Sequence, residues 1–179
     1  MKSLVLLLAF ATPLFAQLTP PATPGATTAK AKPLGAIEKK FVKDALDSMF
    51  YELELTGKTR DKLKVEGAKT VASTVKGDLD KVWADVAGFA SSNDEKIPTV
   101  LAGGDKQKAD KLGKTKDKFD SEYLKLVGHE AAKLARTFEG AAKSSPNADI
   151  KKIAETWAPT LKEHVTKIDA AEKEAAKAK

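Results

Sequence analysis

Cysteine is absent from all 179 residues of the chain. Its absence excludes disulfides, thiolate metal sites, a cysteine nucleophile and the lipid-modified cysteine of a bacterial lipoprotein. The folded chain therefore has to be stabilised by a hydrophobic core of its own.

Aromatic residues are also scarce, with two Trp, two Tyr and seven Phe. Acidic residues are interspersed among the many lysines, so no continuous cationic stripe forms. A nucleic-acid site would need such a stripe and rings for base stacking, so we expect no nucleic-acid partner. Neither a G-x-S-x-G motif nor a phosphate-binding glycine loop occurs. We therefore predict no catalytic residues, and a non-enzymatic protein is favoured.

Only the N-terminus contains a long apolar run. Residues 1–16 combine Lys2, an apolar stretch and a small residue, Ala16, which is the pattern of a cleaved signal peptide. The run is too short to span a bilayer comfortably. Residues 17–35, rich in proline, threonine and alanine, predict a disordered linker. We expect a periplasmic or otherwise extracytoplasmic protein that is not an integral membrane protein after cleavage.

Residues 36–176 show helical periodicity, because apolar residues recur at spacings of three and four. Alternating strand-like runs are absent. The pattern predicts an all-α four-helix bundle, followed by a flexible tail at residues 177–179. The predicted stripes are Ile37, Phe41, Ala45, Met49, Glu52 and Thr56; Val65, Ala68, Ala72, Val75, Leu79, Val82, Val86 and Phe89; Phe119, Tyr123, Leu126, Glu130, Leu134 and Phe138; and Ile150, Ile153, Trp157, Leu161, His164, Ile168 and Ala171.

Turn and capping residues divide the bundle. Ser145 and Pro146 fit an N-cap and the first position of the fourth helix, and Pro159 predicts a kink within it. Residues 93–114 form a connection long enough to run the length of the bundle, with a short helix near residues 105–112. Such a crossover predicts a ferritin-like order of helix directions, up-down-down-up.

Three stripes contain one ionisable residue each: Glu52, Glu130 and His164. One hypothesis is a hydrogen-bonded Glu–His–Glu cluster that fixes helix register, because buried carboxylates need partners. The other is a site for iron, manganese or zinc, since carboxylate and imidazole suit these ions. Ferritin-like di-metal sites use two Glu-x-x-His motifs. Lys133 and Leu161 occupy the corresponding positions here, so a complete di-metal centre lacks ligands.

The neighbouring ionisable residues are predicted to point away from the stripes. Asp78 and Asp80 flank Leu79 on the second helix, and Glu54 and Glu163 lie off their own stripes. His129, next to Glu130, is predicted to be a solvated residue.

Three stretches resemble the bacterial domain-of-unknown-function 4142 family: FVKDALDSMFYELELTGK (41–58), FDSEYLKLV (119–127) and WAPTLKEHVTKI (157–168). The resemblance implies an exported ferritin-like bundle without a settled activity. The family's glutamate pair matches Glu52 and Glu54, and its Leu-Arg/Lys-Glu-His motif matches residues 161–164. Where the family tends to carry aspartate-histidine, this chain has Asp78-Leu79 and Glu130-Ala131.

Two functional hypotheses follow. The first is an exported cell-envelope bundle of unknown activity, acting as a non-enzymatic binding or structural module for an envelope component. The alternative is a ferritin-like protein that binds iron, manganese or zinc through Glu52, Glu130 and His164.

Overall fold

Five α-helices and a short 3₁₀ turn account for most of the described chain. The computed structural model describes residues 33–177, and within that range there is no β-strand. The predicted signal peptide and most of the predicted linker lie outside the described residues. The helices are α1 (Ala36–Thr59), α2 (Glu66–Ser92), α3 (Gly103–Lys114), α4 (Phe119–Ser144) and α5 (Ala148–Lys177), with the 3₁₀ turn at Arg60–Lys62.

The four long helices bury the predicted stripes in one hydrophobic core, which confirms an all-helical bundle. The buried face of α4 is wider than its stripe, because Leu124, Val127, Ala131 and Ala135 are buried as well. Five stripe residues are only partly buried, namely Val65, Phe89, Leu126, Ile153 and Trp157, and one, Ile37, is exposed. Ile37 is 70% exposed because it lies in the first turn of α1, at the end of the bundle.

Helices α1 and α4 run antiparallel, as three cross-helix contacts show. The rings of Phe41 and Phe138 meet edge to face, with centroids 5.2 Å apart. Ser48 lies against Glu130, and the hydroxyls of Thr56 and Tyr123 are 3.0 Å apart. Residue numbers rise along α1 as they fall along α4, so the two helices point in opposite directions.

Helix α2 runs antiparallel to both of its neighbours. Asp78 and Asp85 of α2 contact His164 and Trp157 of α5, respectively. The Trp83 ring lies 6.0 Å from the Phe50 ring of α1, and Lys39 at the start of α1 pairs with Glu95 just after α2, at 2.9 Å. Together with the α1–α4 pairing, these contacts give α1, α2, α4 and α5 the direction order up, down, down, up. Membership of the ferritin-like group itself stays a prediction.

The long connection between α2 and α4 contains the short helix α3, a little longer than predicted. Leu112 of α3 is buried, and Ile97, Leu101 and Ala109 pack against the core from the same connection. None of the helices in residues 33–177 combines the length and apolar character needed to cross a membrane.

Helix α5 begins later than its proline suggests. Asn147 is its N-cap, because the Asn147 Oδ1 accepts the amide hydrogens of Asp149 (3.0 Å) and Ile150 (3.1 Å). The predicted cap, Ser145, lies two residues before it, and Pro146 is outside the helix. An asparagine cap is as favourable as serine, so capping preference alone did not distinguish the two positions. The helix continues through Pro159 to Lys177, the last described residue, so the rest of the predicted flexible tail lies outside the described residues.

Asp120 connects the start of α4 to the turn between α1 and α2. Its Oδ2 accepts the backbone amide hydrogens of Lys64 (2.7 Å) and Val65 (2.6 Å), just before α2 begins. The Asp120 side chain is buried, so water cannot readily replace it as the acceptor.

We predict that Asp120→Ala lowers the free energy of unfolding by about 1–3 kcal/mol, because two amides lose their acceptor. Asp120→Asn keeps an acceptor oxygen and should cost less. Urea unfolding followed by circular dichroism measures both, with the exposed Asp117→Ala as control. Equal stabilities for Asp120→Ala and Asp117→Ala would contradict this role.

Candidate functional site

All three predicted site residues are in the interior of the bundle. Glu52 and His164 are each 1% exposed, and Glu130 is 5% exposed. The structure divides them into two groups: Glu52 and Glu130 influence each other electrostatically, whereas His164 bonds to an aspartate on α2. The predicted Glu–His–Glu cluster is therefore replaced by two separate arrangements.

Glu130 of α4 receives polar groups from three helices. Its Oε2 accepts a long hydrogen bond of 3.5 Å from Ser48 Oγ of α1. The Lys108 Nζ of α3 lies 3.6 Å from Oε1, and the Lys133 Nζ of α4 lies 3.6 Å from Oε2. Both lysines are about half exposed, so each pair contributes modestly to stability. Together they place positive charge beside a buried carboxylate.

Glu52 has no comparable partner. Neither of its carboxyl oxygens makes a hydrogen bond with any described residue. Burial raises the pKa of Glu52 well above its ordinary value, and the negative charge of Glu130 raises it further. The protonated, neutral acid is therefore favoured in the folded protein.

Tyr51 precedes Glu52 and is similarly buried. Its hydroxyl has no hydrogen-bond partner among the described residues, and the Lys108 ammonium lies 5.6 Å from the centre of its ring. Burial raises the pKa of the phenol, and Glu130 adds to that effect. Tyr51 thus contributes a neutral hydroxyl and an aromatic face that contacts the crossover helix.

His164 pairs with Asp78 instead of a glutamate. The His164 Nε2 lies 3.1 Å from Asp78 Oδ2 and donates the hydrogen, because a carboxylate only accepts. Burial lowers the pKa of His164, and the hydrogen bond that His164 donates to Asp78 only partly offsets this effect. The hydrogen bonds from His164 and Lys81 outweigh partial burial and lower the pKa of Asp78. A neutral imidazole and an ionised aspartate result.

Asp78, predicted to point off the second stripe unless α2 is rotated, lies at the edge of that stripe and contacts α5. Adjacent residues on a helix are separated by about 100°, so a residue beside the stripe can lie at the edge of the interface. One sequence signal pointed to Asp78. The family tends to carry aspartate-histidine at this place on the second helix, and Asp78 occupies the aspartate position. Lys108 was also missed, because nothing in the crossover sequence distinguishes it from its neighbouring lysines.

The other off-stripe residues lie where they were predicted. His129 is exposed, and the side chains of Glu54 and Glu163 form helical ion pairs with Lys58 (2.6 Å) and Lys167 (2.9 Å). These residues take no part in the buried arrangements.

A groove separates the C-terminal half of α1 from the crossover. It is open to solvent and has a volume of about 710 Å³. Phe50 and Leu55 contribute apolar surface from α1, and Val100, Leu101 and Ala109 contribute it from the crossover. The groove and the Glu130 cluster share helix α3, since Lys108 lies between groove residues Lys106 and Asp110.

Residues 23–171 match the family model described as Domain of unknown function (DUF4142). The chain belongs to the DUF4142 family. No curated protein and no solved structure matches it. The two positions where the resemblance implied histidine, Leu79 and Ala131, are buried apolar residues in this DUF4142 protein. They therefore supply packing and no ligand atoms.

The arrangement does not assemble the predicted metal ligands. Within residues 33–177, no group of three or more histidine, aspartate and glutamate side chains is placed to hold a metal ion. The Nε2 of His164 bonds to Asp78, away from the glutamates, and the Glu130 carboxylate faces two lysines. Metal binding by Glu52, Glu130 and His164 thus stays a prediction that the described geometry does not fit.

We predict that Glu52 makes the protein less stable as the pH rises. A buried acid with a raised pKa stabilises the fold fully below the pKa of the unfolded acid, about 4.3. That contribution is lost as the pH rises towards the folded-state pKa, at about 1.4 kcal/mol per pH unit. Glu52→Gln should lack this loss in urea unfolding measured from pH 4.5 to pH 8.

The control is Glu54→Gln, which removes a carboxyl group outside the core. Its stability should follow the wild-type pH dependence. A Glu52→Gln variant whose unfolding free energy changes with pH in parallel with the wild type would show that Glu52 is not held neutral by burial.

Proposed function

We propose that this DUF4142 protein is an exported helical bundle of the cell envelope that acts as a non-enzymatic binding module. The proposal of export is supported by the signal-peptide pattern of residues 1–16 and by the family resemblance. The proposed binding site is the groove between α1 and the crossover. Its partner in the envelope is a molecule small enough to enter that groove.

The observation that carries the proposal is the open volume that the crossover leaves beside α1. Ligand sites usually have volumes of about 300–1,000 Å³ and combine apolar walls with a few polar groups. The groove, at about 710 Å³, lies within that range and has both kinds of lining. The buried polar residues elsewhere, by contrast, connect helices: Asp78 with His164, and Ser48 with Glu130.

The proposal predicts a small molecule that co-purifies with the exported protein. Gly113 lines the groove, and a Cβ atom added there would meet no atom within 4 Å. Gly113→Leu should therefore narrow the groove without disturbing the fold. Native mass spectrometry of periplasmic protein should show an adduct in the wild type that is lost in this variant, and a mass consistent with cleavage near Ala16.

The matched control is Gly88→Leu, on α2. A side chain at this position also enters open space, and Gly88 does not line the groove. An adduct retained in both variants would contradict binding at the groove, and full-length cytoplasmic protein would contradict export.

A second candidate function is metal binding, favoured by one observation: the buried Glu52 carboxyl has no partner and lies close enough to Glu130 to feel its charge. The donor set has two carboxylates but lacks a third ligand among the described residues. We infer that His164 would complete such a site through Nδ1, because its Nε2 bonds to Asp78.

Metal content distinguishes the two candidates. From the described geometry, we expect protein exported without a histidine tag to carry well below one equivalent of iron, manganese or zinc by inductively coupled plasma mass spectrometry. Near-stoichiometric metal that is lost in both Glu52→Ala and His164→Ala would support the three-residue site and contradict the geometry described above.

A further inference from the structure

We propose that the groove binds a free amphiphilic anion: a molecule with a carboxylate head and a single hydrocarbon chain. The inference rests on the proposed binding function and specifies its ligand class. Two properties of the lining carry it: water-exposed apolar side chains, and an excess of positive charge.

The apolar wall favours a hydrocarbon chain. Val100 is 77% exposed although it is a large hydrophobic residue, and it lines the groove opposite α1. Phe50 and Leu101, which are only partly buried, line the same space. Covering such apolar surface stabilises a complex by about 25 cal/mol for each Å² removed from water. A chain lying along the groove would cover these three side chains together.

The charged lining favours an anionic head. Four lysines and two carboxylates line the groove. One lysine, Lys58, already pairs with one of the carboxylates, that of Glu54, at 2.6 Å. Lys62, Lys106 and Lys114 make no ion pair with any residue in the described range, and they outnumber the remaining carboxylate, Asp110. Four lysines against two carboxylates give the lining a net charge of +2, which favours a carboxylate head.

Trp83 provides a local reporter. Its ring lies 6.0 Å from that of Phe50, which lines the groove. The chain has two tryptophans. In a Trp157→Phe background, Trp83 is therefore the only tryptophan, and its fluorescence reports on the groove wall.

The experiment titrates dodecanoate, below its micellar concentration, into the mature protein carrying Trp157→Phe. Calorimetry gives the affinity, and Trp83 fluorescence reports the location. We expect saturable binding with one site. Dodecyltrimethylammonium has the same chain and a cationic head. Its affinity should be lower than that of dodecanoate by a factor on the order of ten or more.

Two independent variants test the site. Gly113→Leu narrows the groove, and Lys106→Glu with Lys114→Glu reverses the charge of its α3 wall. Each should weaken dodecanoate binding on the order of tenfold. Gly88→Leu controls for the added side chain. Lys143→Glu with Lys152→Glu controls for net charge, because these exposed lysines lie where α4 ends and α5 begins. Neither control should change the affinity, and urea unfolding verifies that every variant folds.

Each contrary outcome has a distinct meaning. Dodecyltrimethylammonium could bind more tightly than dodecanoate and still lose its binding in Gly113→Leu. That result would overturn the proposal of an anionic ligand but would leave the proposed binding function of the groove intact. No binding of either probe, together with no co-purifying molecule, would overturn both. Sedimentation with phosphatidylglycerol vesicles that depends on Lys106 and Lys114 but not on Gly113 would indicate an anionic surface and overturn the free ligand.

Discussion

Helix α3 of the crossover meets the bundle at the buried carboxylate of Glu130, where polar groups from α1, α3 and α4 come together. Ser48 reaches it from α1, Lys133 from α4 and Lys108 from α3. A buried carboxylate without nearby positive charge would be costly to ionise, so the position of α3 and the charge of Glu130 are coupled. Leu112, one turn after Lys108 on the same side of α3, adds apolar burial to that polar contact. The groove is the space that remains between α1 and α3 when these contacts hold α3 in place.

Polar groups in the core have two different consequences for stability. The pair formed by His164 and Asp78 satisfies both partners and connects α5 to α2. Glu52 and Tyr51, in contrast, are buried without hydrogen-bond partners among the described residues. The apolar stripes of the bundle compensate for this cost, and keeping Glu52 neutral limits it. An unsatisfied carboxyl that persists in a bundle is a candidate for a role other than stability, which is why its protonation is worth measuring.

The sequence predicted the helices, the crossover and the burial of Glu52, Glu130 and His164, because helical periodicity determines which face of each helix is buried. It did not predict the partners of those residues. A stripe of apolar residues defines the buried face of a helix only to within about one residue. Asp78, one residue from the stripe, therefore lies at the interface with His164 and not on the predicted exterior. Asn147 and Ser145 are equally good caps by composition, so only the folded backbone distinguishes them. The groove depends on how far α3 lies from α1, a tertiary distance that no local pattern contains.

Hydrogen exchange of α3 tests most directly whether Lys108 holds the crossover against the bundle. Lys108→Met keeps the aliphatic part of the side chain and removes the charge. The account predicts that amides of residues 103–114 exchange a few-fold faster in this variant, while those in α1 and α4 keep their protection. Unchanged exchange in α3 would show that Leu112 and its apolar neighbours position the crossover alone. The coupling between Glu130 and the groove would then be contradicted.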